Sequence, residues 1–329
     1  MKVVFFHRKP RPNHNFSVEN LFKFVREHLP PEVSWEIKEA RYFSEGIFKR
    51  LYIGLEASFS QKGINHITGD INFVSLFLRK RHTVLTILDL GLMNHPNAFA
   101  RWLLKLFWIV LPVKRAAIIT TISKSTREEL LKYVNIEPSR IRVVYVPISG
   151  QFVRQPKVFN KARPTILQIG TKPNKNVIRL VSALEGIDCR LEIIGELNDE
   201  LENELKKRMI SYSYSINLTN DEVKSKYLSA DIVSFVSTYE GFGMPIVEAN
   251  AIGRVVVTSN LLSMPEVAGV SAHLVNPFDI ISIREGIKKV IEDDEYREKL
   301  IASGFENIKR FDVTKIANQY TDIYKLLSA

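Results

Sequence analysis

Ser237-Thr238-Tyr239-Glu240-Gly241-Phe242-Gly243-Met244-Pro245-Ile246-Val247-Glu248-Ala249 joins two kinds of sequence. The run that leads into it, Ala230–Ser237 (ADIVSFVS), is short, apolar and β-branched, which is the pattern of a buried strand. The residues that leave it begin with Pro245, favoured in the first helical turn because its missing N–H would have no partner there anyway. The stretch is therefore a strand–loop–helix joint. Gly241 and Gly243 let backbone come close to a ligand, and the N–H groups at a helix start favour an anion. Two carboxylates stand eight residues apart, Glu240 in the loop and Glu248 roughly one turn into the helix. With the glycines alone, a bare strand–turn–helix joint carrying a chance pair of acids would be the better reading.

Working outward, the same alternation fills the chain. Strand-like runs occur at Val3–Phe6, Gly63–Ile67, His82–Asp89, Ala116–Ser123 and Ile141–Val146. A second set follows at Thr165–Gly170, Arg190–Gly195, Ala230–Ser237, Arg254–Ser259 and Ala272–Val275. Helical patterns lie between them, among them Val18–Leu29, Lys124–Val134, Val177–Leu184, Asp199–Met209 and Asp221–Leu228, with Ser123 or Ser125 and Asp221 as N-cap candidates. Strands alternating with helices predict βαβ units and parallel sheets, here in two sets. The stretch Pro147–Pro164 between the sets lacks periodicity and reads as a linker. The expected organisation is an N-terminal Rossmann-like domain over 1–155, a second over 156–310, and a last helix over 311–329 that crosses back to the first. Two such domains would face a central cleft, since ligands gather at the carboxyl ends of the strands.

At 329 residues, two domains are the natural expectation, and 45% hydrophobic with 25% charged residues is ordinary for a globular protein. The one cysteine, Cys189, excludes an intrachain disulfide and a cysteine metal cluster, and with no signal-like start after Met1 the expected location is the cytoplasm. The net charge of +10 is uneven: residues 1–150 hold 23 Lys+Arg against 12 Asp+Glu, and residues 151–329 hold 23 against 24. A one-sided basic excess points to an anionic partner, and a merely solvated face is the alternative. Phe99–Ile119 (FARWLLKLFWIVLPVKRAAII) is apolar and aromatic, but Arg101, Lys105, Lys114 and Arg115 interrupt it well short of a membrane span. It reads either as a buried helix or as a basic amphipathic helix on a membrane surface, the latter giving a peripheral seat on the inner face of the membrane.

The Glu240–Glu248 stretch resembles the Glu-x7-Glu signature of retaining GT-B glycosyltransferases of the family 4 type. The likeness continues through Ala251-Ile252-Gly253, Val255–Ser259, Ser263-Met264-Pro265-Glu266-Val267-Ala268-Gly269 and Leu274-Val275-Asn276-Pro277 in the family's order. It covers nearly the whole chain and is strongest from 165 to 280. The resemblance implies an α/β fold of GT-B architecture, two Rossmann-like doubly wound domains with the donor held by the second. By position, Glu248 matches the acid that holds the nucleotide ribose, and Glu240 the acid that touches the donor sugar. Gly241, Phe242, Gly243 and Met244 match the loop whose amides meet sugar and diphosphate. Gly170-Thr171-Lys172-Pro173-Asn174-Lys175-Asn176 looks like the family's loop after the first strand of that domain, with Lys175 as the lysine that binds the leaving diphosphate. The family often has arginine where this chain has Thr171, and Lys172 or Arg179 are candidates to make up the charge.

In the first domain the likeness is looser. His82–Leu90 resembles a strand that ends in a His-Asp pair, but Leu88 stands at the histidine and only Asp89 remains. His66 and Asp70, in Ile64–Asp70, are candidates for the acceptor side, with a structural role as the alternative. Arg8, Lys9 and Arg11, in the loop Arg8–Ser17, are cations that could meet an anionic acceptor. The chain has no Asp-x-Asp, HxxxH or HxH, so no metal or other cofactor is expected beyond the nucleotide-sugar co-substrate. No Walker loop, GxGxxG, GxSxG or nucleic-acid-binding signature occurs, and nucleic acid is not an expected partner. The implied reaction is metal-independent transfer of a sugar, with retention, to a saccharide or lipid-linked acceptor, in bacterial cell-surface polysaccharide or glycolipid assembly, with an anionic membrane surface as a further partner. Two alternatives keep the fold: a nucleotide-sugar epimerase, and a non-catalytic nucleotide-sugar-binding pseudo-enzyme, the second motivated by Leu88 and Thr171.

Overall fold

The computed structural model describes residues 1–10 and 17–328, with side chains described throughout except at 17–20. Arg11 and the rest of the 11–16 stretch lie outside the described residues. The chain forms two compact units, one made of Met1–Pro147 and Asp312–Ala329, the other of Ile148–Phe311.

The first unit carries β1 (Lys2–His7), β2 (Ser34–Glu39), β3 (Ile64–Ile67), β4 (Thr83–Ile87), β5 (Ile118–Thr121) and β6 (Ile141–Val143), all parallel, in the order β2-β1-β3-β4-β5-β6. The second carries β7 (Thr165–Ile169), β8 (Arg190–Ile194), β9 (Ser211–Ser215), β10 (Ile232–Phe235), β11 (Val255–Ser259) and β12 (Ala272–Val275), again parallel, in the order β12-β11-β10-β7-β8-β9. The inner strands are covered on both faces, so their residues are apolar almost without a break, as in the fully buried β10 (IVSF). Each sheet has one place where the chain, having wound outward, returns to the other side of its starting strand. The connections leaving the two strands there diverge and open a crevice at their carboxyl ends. That place is β1/β3 in the first unit and β7/β10 in the second.

Two strands escape the sequence pattern, β2 (SWEIKE) and β9 (SYSYS), and both are sheet edges. An edge strand has one neighbour and these two pack little core, so they need no apolar run. A further detail lies at Phe99–Ile119. One helical run covers 98–115, α-helical over Ala98–Leu104 and Leu111–Arg115 and widened to a π-helical turn over Lys105–Val110, and the end of the stretch enters β5. Pro112 is the cause: it has no N–H for the carbonyl of Trp108, which accepts from Asn72 Nδ2 at 2.9 Å instead. Ser123 caps the helix Lys124–Leu131, whereas Asp221 is not a cap, because Thr219 takes that place in a reciprocal capping box with Glu222. The last helix, Val313–Ser328, belongs to the first unit and buries Tyr320 and Tyr324 there.

Candidate functional site

The crevice of the second unit lies where the loops after β7 and β10 meet. Gly170 follows β7 at φ +83°, and a Cβ on it would stand 3.1 Å from Lys175 Cε. The missing side chain is thus the space along which the Lys175 stem runs. Its ammonium lies 4.8 Å from the centre of the Phe235 ring and donates to Glu240 Oε1 at 2.7 Å. Asn174 joins the same loops. Its Nδ2 donates to Glu240 Oε1 at 3.2 Å and to the Tyr239 carbonyl at 2.9 Å, and its own carbonyl accepts from Thr238 N at 2.8 Å. Asn176, at φ +59°, ties the following turn to the Val236 and Pro277 carbonyls through Nδ2. Ser263 Oγ shares its proton between the Glu240 and Phe242 carbonyls, at 2.9 and 2.8 Å.

The result is a pre-set pair of opposite charges. Among the described residues, no protein group bonds Glu240 Oε2, and the Lys175 ammonium spends one of its three donors on protein. Both side chains keep less than a fifth of their surface exposed, which strengthens their electrostatics relative to open water. Gly243, at φ +116°, ends the loop and opens the nine-residue helix Met244–Ile252; a Cβ there would crowd Ile246 Cδ1 at 3.2 Å and Phe235 Cε1 at 3.3 Å. The first-turn amides of that helix supply the positive end of its dipole.

Glu248 sits on this helix and accepts a hydrogen bond from the fully buried Tyr227 hydroxyl. Burial pushes its carboxyl up to about 7, against the opposing pull of that hydrogen bond. Of the cations named for charge compensation, Lys172 is exposed beside the crevice. Arg179 is drawn elsewhere: its guanidinium donates to Asn176 Oδ1 at 2.9 Å and lies over the Phe278 ring. Thr171 packs against Gly195, where a Cβ would come within 2.9 Å of its side chain.

The crevice of the first unit is built from other groups. Arg8, after β1, pairs with Asp70, after β3, which holds a left-handed φ of +45°. Asp89 follows β4 and accepts from Gly91 N at 2.9 Å; desolvation raises its carboxyl above the ordinary range, the Asp70 charge adds to this, and the Gly91 bond opposes it. Lys9 lies over the Phe43 ring. His66 is corrected from an acceptor-side candidate to a core residue. It is fully buried, with Nδ1 on the Tyr324 hydroxyl and Nε2 on Thr86 Oγ1, both at 2.7 Å, and with Phe5, Phe22, Tyr320 and Tyr324 around its ring.

Sequence reasoning missed Asn174, Asn176, Tyr227 and Ser263 as site residues. Asn176 carried a faint signal, since asparagine is one of the few residues that readily takes a left-handed turn before a helix. Tyr227 carried none, because its role depends on a helix that precedes β10 packing against one that follows it. Among the described residues, no three His, Cys, Asp or Glu side chains gather as metal ligands would.

Residues 151–307 match the family of glycosyl transferases group 1. The chain is 27% identical over 240 residues to the O-antigen chain mannosyltransferase B of Escherichia coli, covering 64% of this chain and 61% of that protein. It is 27% identical over 175 residues to the phosphatidyl-myo-inositol mannosyltransferase of Mycobacterium leprae, covering 50% and 47%. These alignments span less than two thirds of either relative. Anabaena Alr3699/HepE, solved in complex with UDP and glucose, has the same fold with a TM-score of 0.75 at 14% identity, covering 99% of each chain.

Proposed function

We propose that this chain, whose residues 151–307 match the family of glycosyl transferases group 1, moves a sugar from a nucleotide-diphosphate sugar to an acceptor hydroxyl, with retained configuration, in cell-surface polysaccharide or glycolipid assembly. One observation carries the reading: Lys175 and Glu240, 65 residues apart, meet at 2.7 Å in the β7/β10 crevice. In this reading the donor separates them. The diphosphate takes the Lys175 ammonium and the Met244–Ile252 helix start, which offset the charge that grows on the leaving group as the glycosidic bond breaks. The sugar, gaining oxocarbenium character, presents its hydroxyls to Glu240. Glu248 accepts from the ribose diol. The acceptor hydroxyl attacks from the face the diphosphate leaves, and the diphosphate receives its proton. Charge offset by Lys175 makes a metal unnecessary in this scheme. Asp89, Arg8 and Asp70 are the acceptor-side groups. The mannosyltransferase relatives favour a mannosyl donor and a saccharide or lipid-linked acceptor.

The test is transfer of radiolabelled sugar from a panel of UDP- and GDP-sugars. Glu240→Gln and Lys175→Ala are each expected to lower turnover by about a hundredfold or more, the loss typical of removing one preorganised group from a charge-stabilising site. Full turnover in both variants would overturn the assignment.

A further inference from the structure

Tyr227 stands near the end of the helix Asn220–Ser229 and is fully buried. Its ring packs edge-on against Phe152, with centroids 5.5 Å apart. Its carbonyl accepts from Arg254 Nε at 3.1 Å, and the next carbonyl, that of Leu228, accepts from Arg254 Nη2 at 3.0 Å. Lys226, one residue before it, pairs with Glu192 of β8 at 2.5 Å. Ring and backbone are thus fixed by groups that the sugar-transfer scheme does not use. What remains is the hydroxyl, and among the described residues it has one partner, Glu248 Oε2. A buried hydroxyl needs such a partner, and a phenylalanine would fill nearly the same space without one.

The carboxylate end of this bond is only half closed. Glu248 keeps part of its surface, although Val247 and Ala249 on either side are buried. Oε2 is taken by Tyr227, while Oε1 has no protein partner among the described residues and is not sealed from water. A glutamate has three side-chain torsions to fix before it meets a ligand, and fixing them costs entropy. A hydroxyl that grips one oxygen from inside fixes them beforehand. Burial, the Glu248 charge and the hydrogen bond itself hold the Tyr227 hydroxyl well above its ordinary range, so it keeps its proton and stays the donor.

We propose that Tyr227 is a positioning residue: its buried hydroxyl holds Glu248 Oε2 and leaves Oε1 to the ribose of the nucleotide. The inference rests on the reading of Glu248 as the ribose acid. Tyr227 acts through Glu248 in two ways. It sets the orientation of the carboxylate, and its hydrogen bond opposes the burial that favours the protonated form. The cations on the elements packed around the Met244–Ile252 helix are held elsewhere: Lys226 by Glu192, Arg254 by backbone carbonyls, Arg297 by Asp294 and Arg310 by Asn307 Oδ1. Burial and the Tyr227 hydroxyl are left to set how readily Glu248 ionises.

Tyr227→Phe removes the oxygen alone. The test is calorimetric titration of the full chain with GDP-mannose and with UDP-glucose from pH 6 to pH 9, for wild type, Tyr227→Phe, Glu248→Gln and the double variant. Loss of the hydrogen bond should raise the Glu248 carboxyl further, by about one pH unit. The nucleotide-sugar is therefore expected to bind about tenfold or more weakly to Tyr227→Phe at pH 6, and about threefold more weakly at pH 9, where Glu248 is ionised in both proteins. In the Glu248→Gln background, Tyr227→Phe is expected to change affinity by less than about twofold at every pH. Infrared titration of the ligand-free proteins reads the same group directly: the protonated-carboxyl band that Glu248→Gln abolishes should persist to a pH about one unit higher in Tyr227→Phe. If Glu248→Gln binds weakly but Tyr227→Phe binds as wild type, or is weaker by one constant factor at all pH values, this proposal is overturned and the ribose reading stands. Glu248→Gln that binds as wild type, or a wild type that binds neither nucleotide-sugar, overturns the ribose reading and this inference with it.

Discussion

The two crevices share an architecture and use it differently. At β7/β10 the polar groups stand on the loops: Lys175, Glu240 and Asn174 are held by glycines, a helix start and backbone carbonyls. At β1/β3 the described loop residues include Arg8, Lys9, Asp70 and Asp89, and a chain of buried polar groups is sealed behind them. His7 meets Arg26 and Thr68, and His66 links Tyr324 of the last helix to Thr86, which meets Thr120. The second unit keeps Lys175 and Glu240 partly exposed in its crevice. The first buries His66 to tie the last helix to the sheet. A parallel sheet supplies the place for a site, and the loop chemistry decides whether a ligand or the protein itself uses it.

Acid should therefore pull the units apart in stability. Burial lowers His7 to about 3, with the nearby Arg26 charge adding, and burial lowers His66 well below its ordinary value, with the charges of His7 and Arg26 adding. Both imidazoles stay neutral in the fold, while the unfolded chain takes up a proton on each near pH 6.5. Their contribution is full above that pH and is lost below it, by about 2 kcal/mol for each between pH 7 and pH 5. Glu248 has the opposite sign. Its folded value near 7 exceeds the unfolded one, so the second unit gains stability as the pH falls from above 7 toward 4.5. Hydrogen exchange read peptide by peptide, with the chemical exchange rate divided out, checks this. Protection in β1, β3 and β4 should fall from pH 7 to pH 5, while protection in β10 and the Met244–Ile252 helix holds or rises. Equal losses in both units would break the contrast.

A smaller effect sharpens the same contrast at the ligand level. A ribose diol donates two hydrogen bonds, and Glu248 accepts both only when ionised. With a carboxyl near 7, about a tenth of the ligand-free protein is ionised there at pH 6 and about nine tenths at pH 8. Nucleotide-sugar affinity should rise roughly tenfold across that range, and Glu248→Gln should flatten the profile. The phosphate diester of the donor does not titrate in this window, so the slope belongs to the protein. Calorimetric titration at a series of pH values checks it, and a flat wild-type profile would remove Glu248 from the ribose.

How much of this the sequence carried follows from where each feature gets its information. Inner strands such as β10 and β11 declare themselves because both faces are buried, and Val177–Leu184 is found to the residue. The edge strands β2 and β9 are silent for the opposite reason. The β7/β10 loops are legible because their geometry is written in backbone: glycines at positive φ and a proline opening a helix are visible one residue at a time. His66 is not legible in that way. A histidine inside INHI looks the same whether it faces a ligand or a tyrosine 258 residues away. Gly46–Phe59 is missed because apolar residues on both sides of a helix blur the 3.6-residue period that would reveal it.

The smallest effect tests whether the loops of the second unit are set in advance. Asn174 touches neither phosphate nor sugar in the proposed reaction. Its side chain bonds Glu240 Oε1 and the Tyr239 carbonyl, and its backbone bonds Thr238, so it holds the loop after β7 to the loop after β10. Asn174→Ala removes only the side-chain bonds. Each hydrogen bond of this kind is worth about 1 kcal/mol net, and the surviving Thr238 and Ser263 bonds retain most of the loop. The expected result is a rise of about threefold to tenfold in KM for the donor, with kcat within about twofold, because Lys175 and Glu240 remain but must be ordered by the donor itself. A fall in kcat with KM unchanged would mean that Asn174 acts on the reacting groups, and would move it from positioning to catalysis.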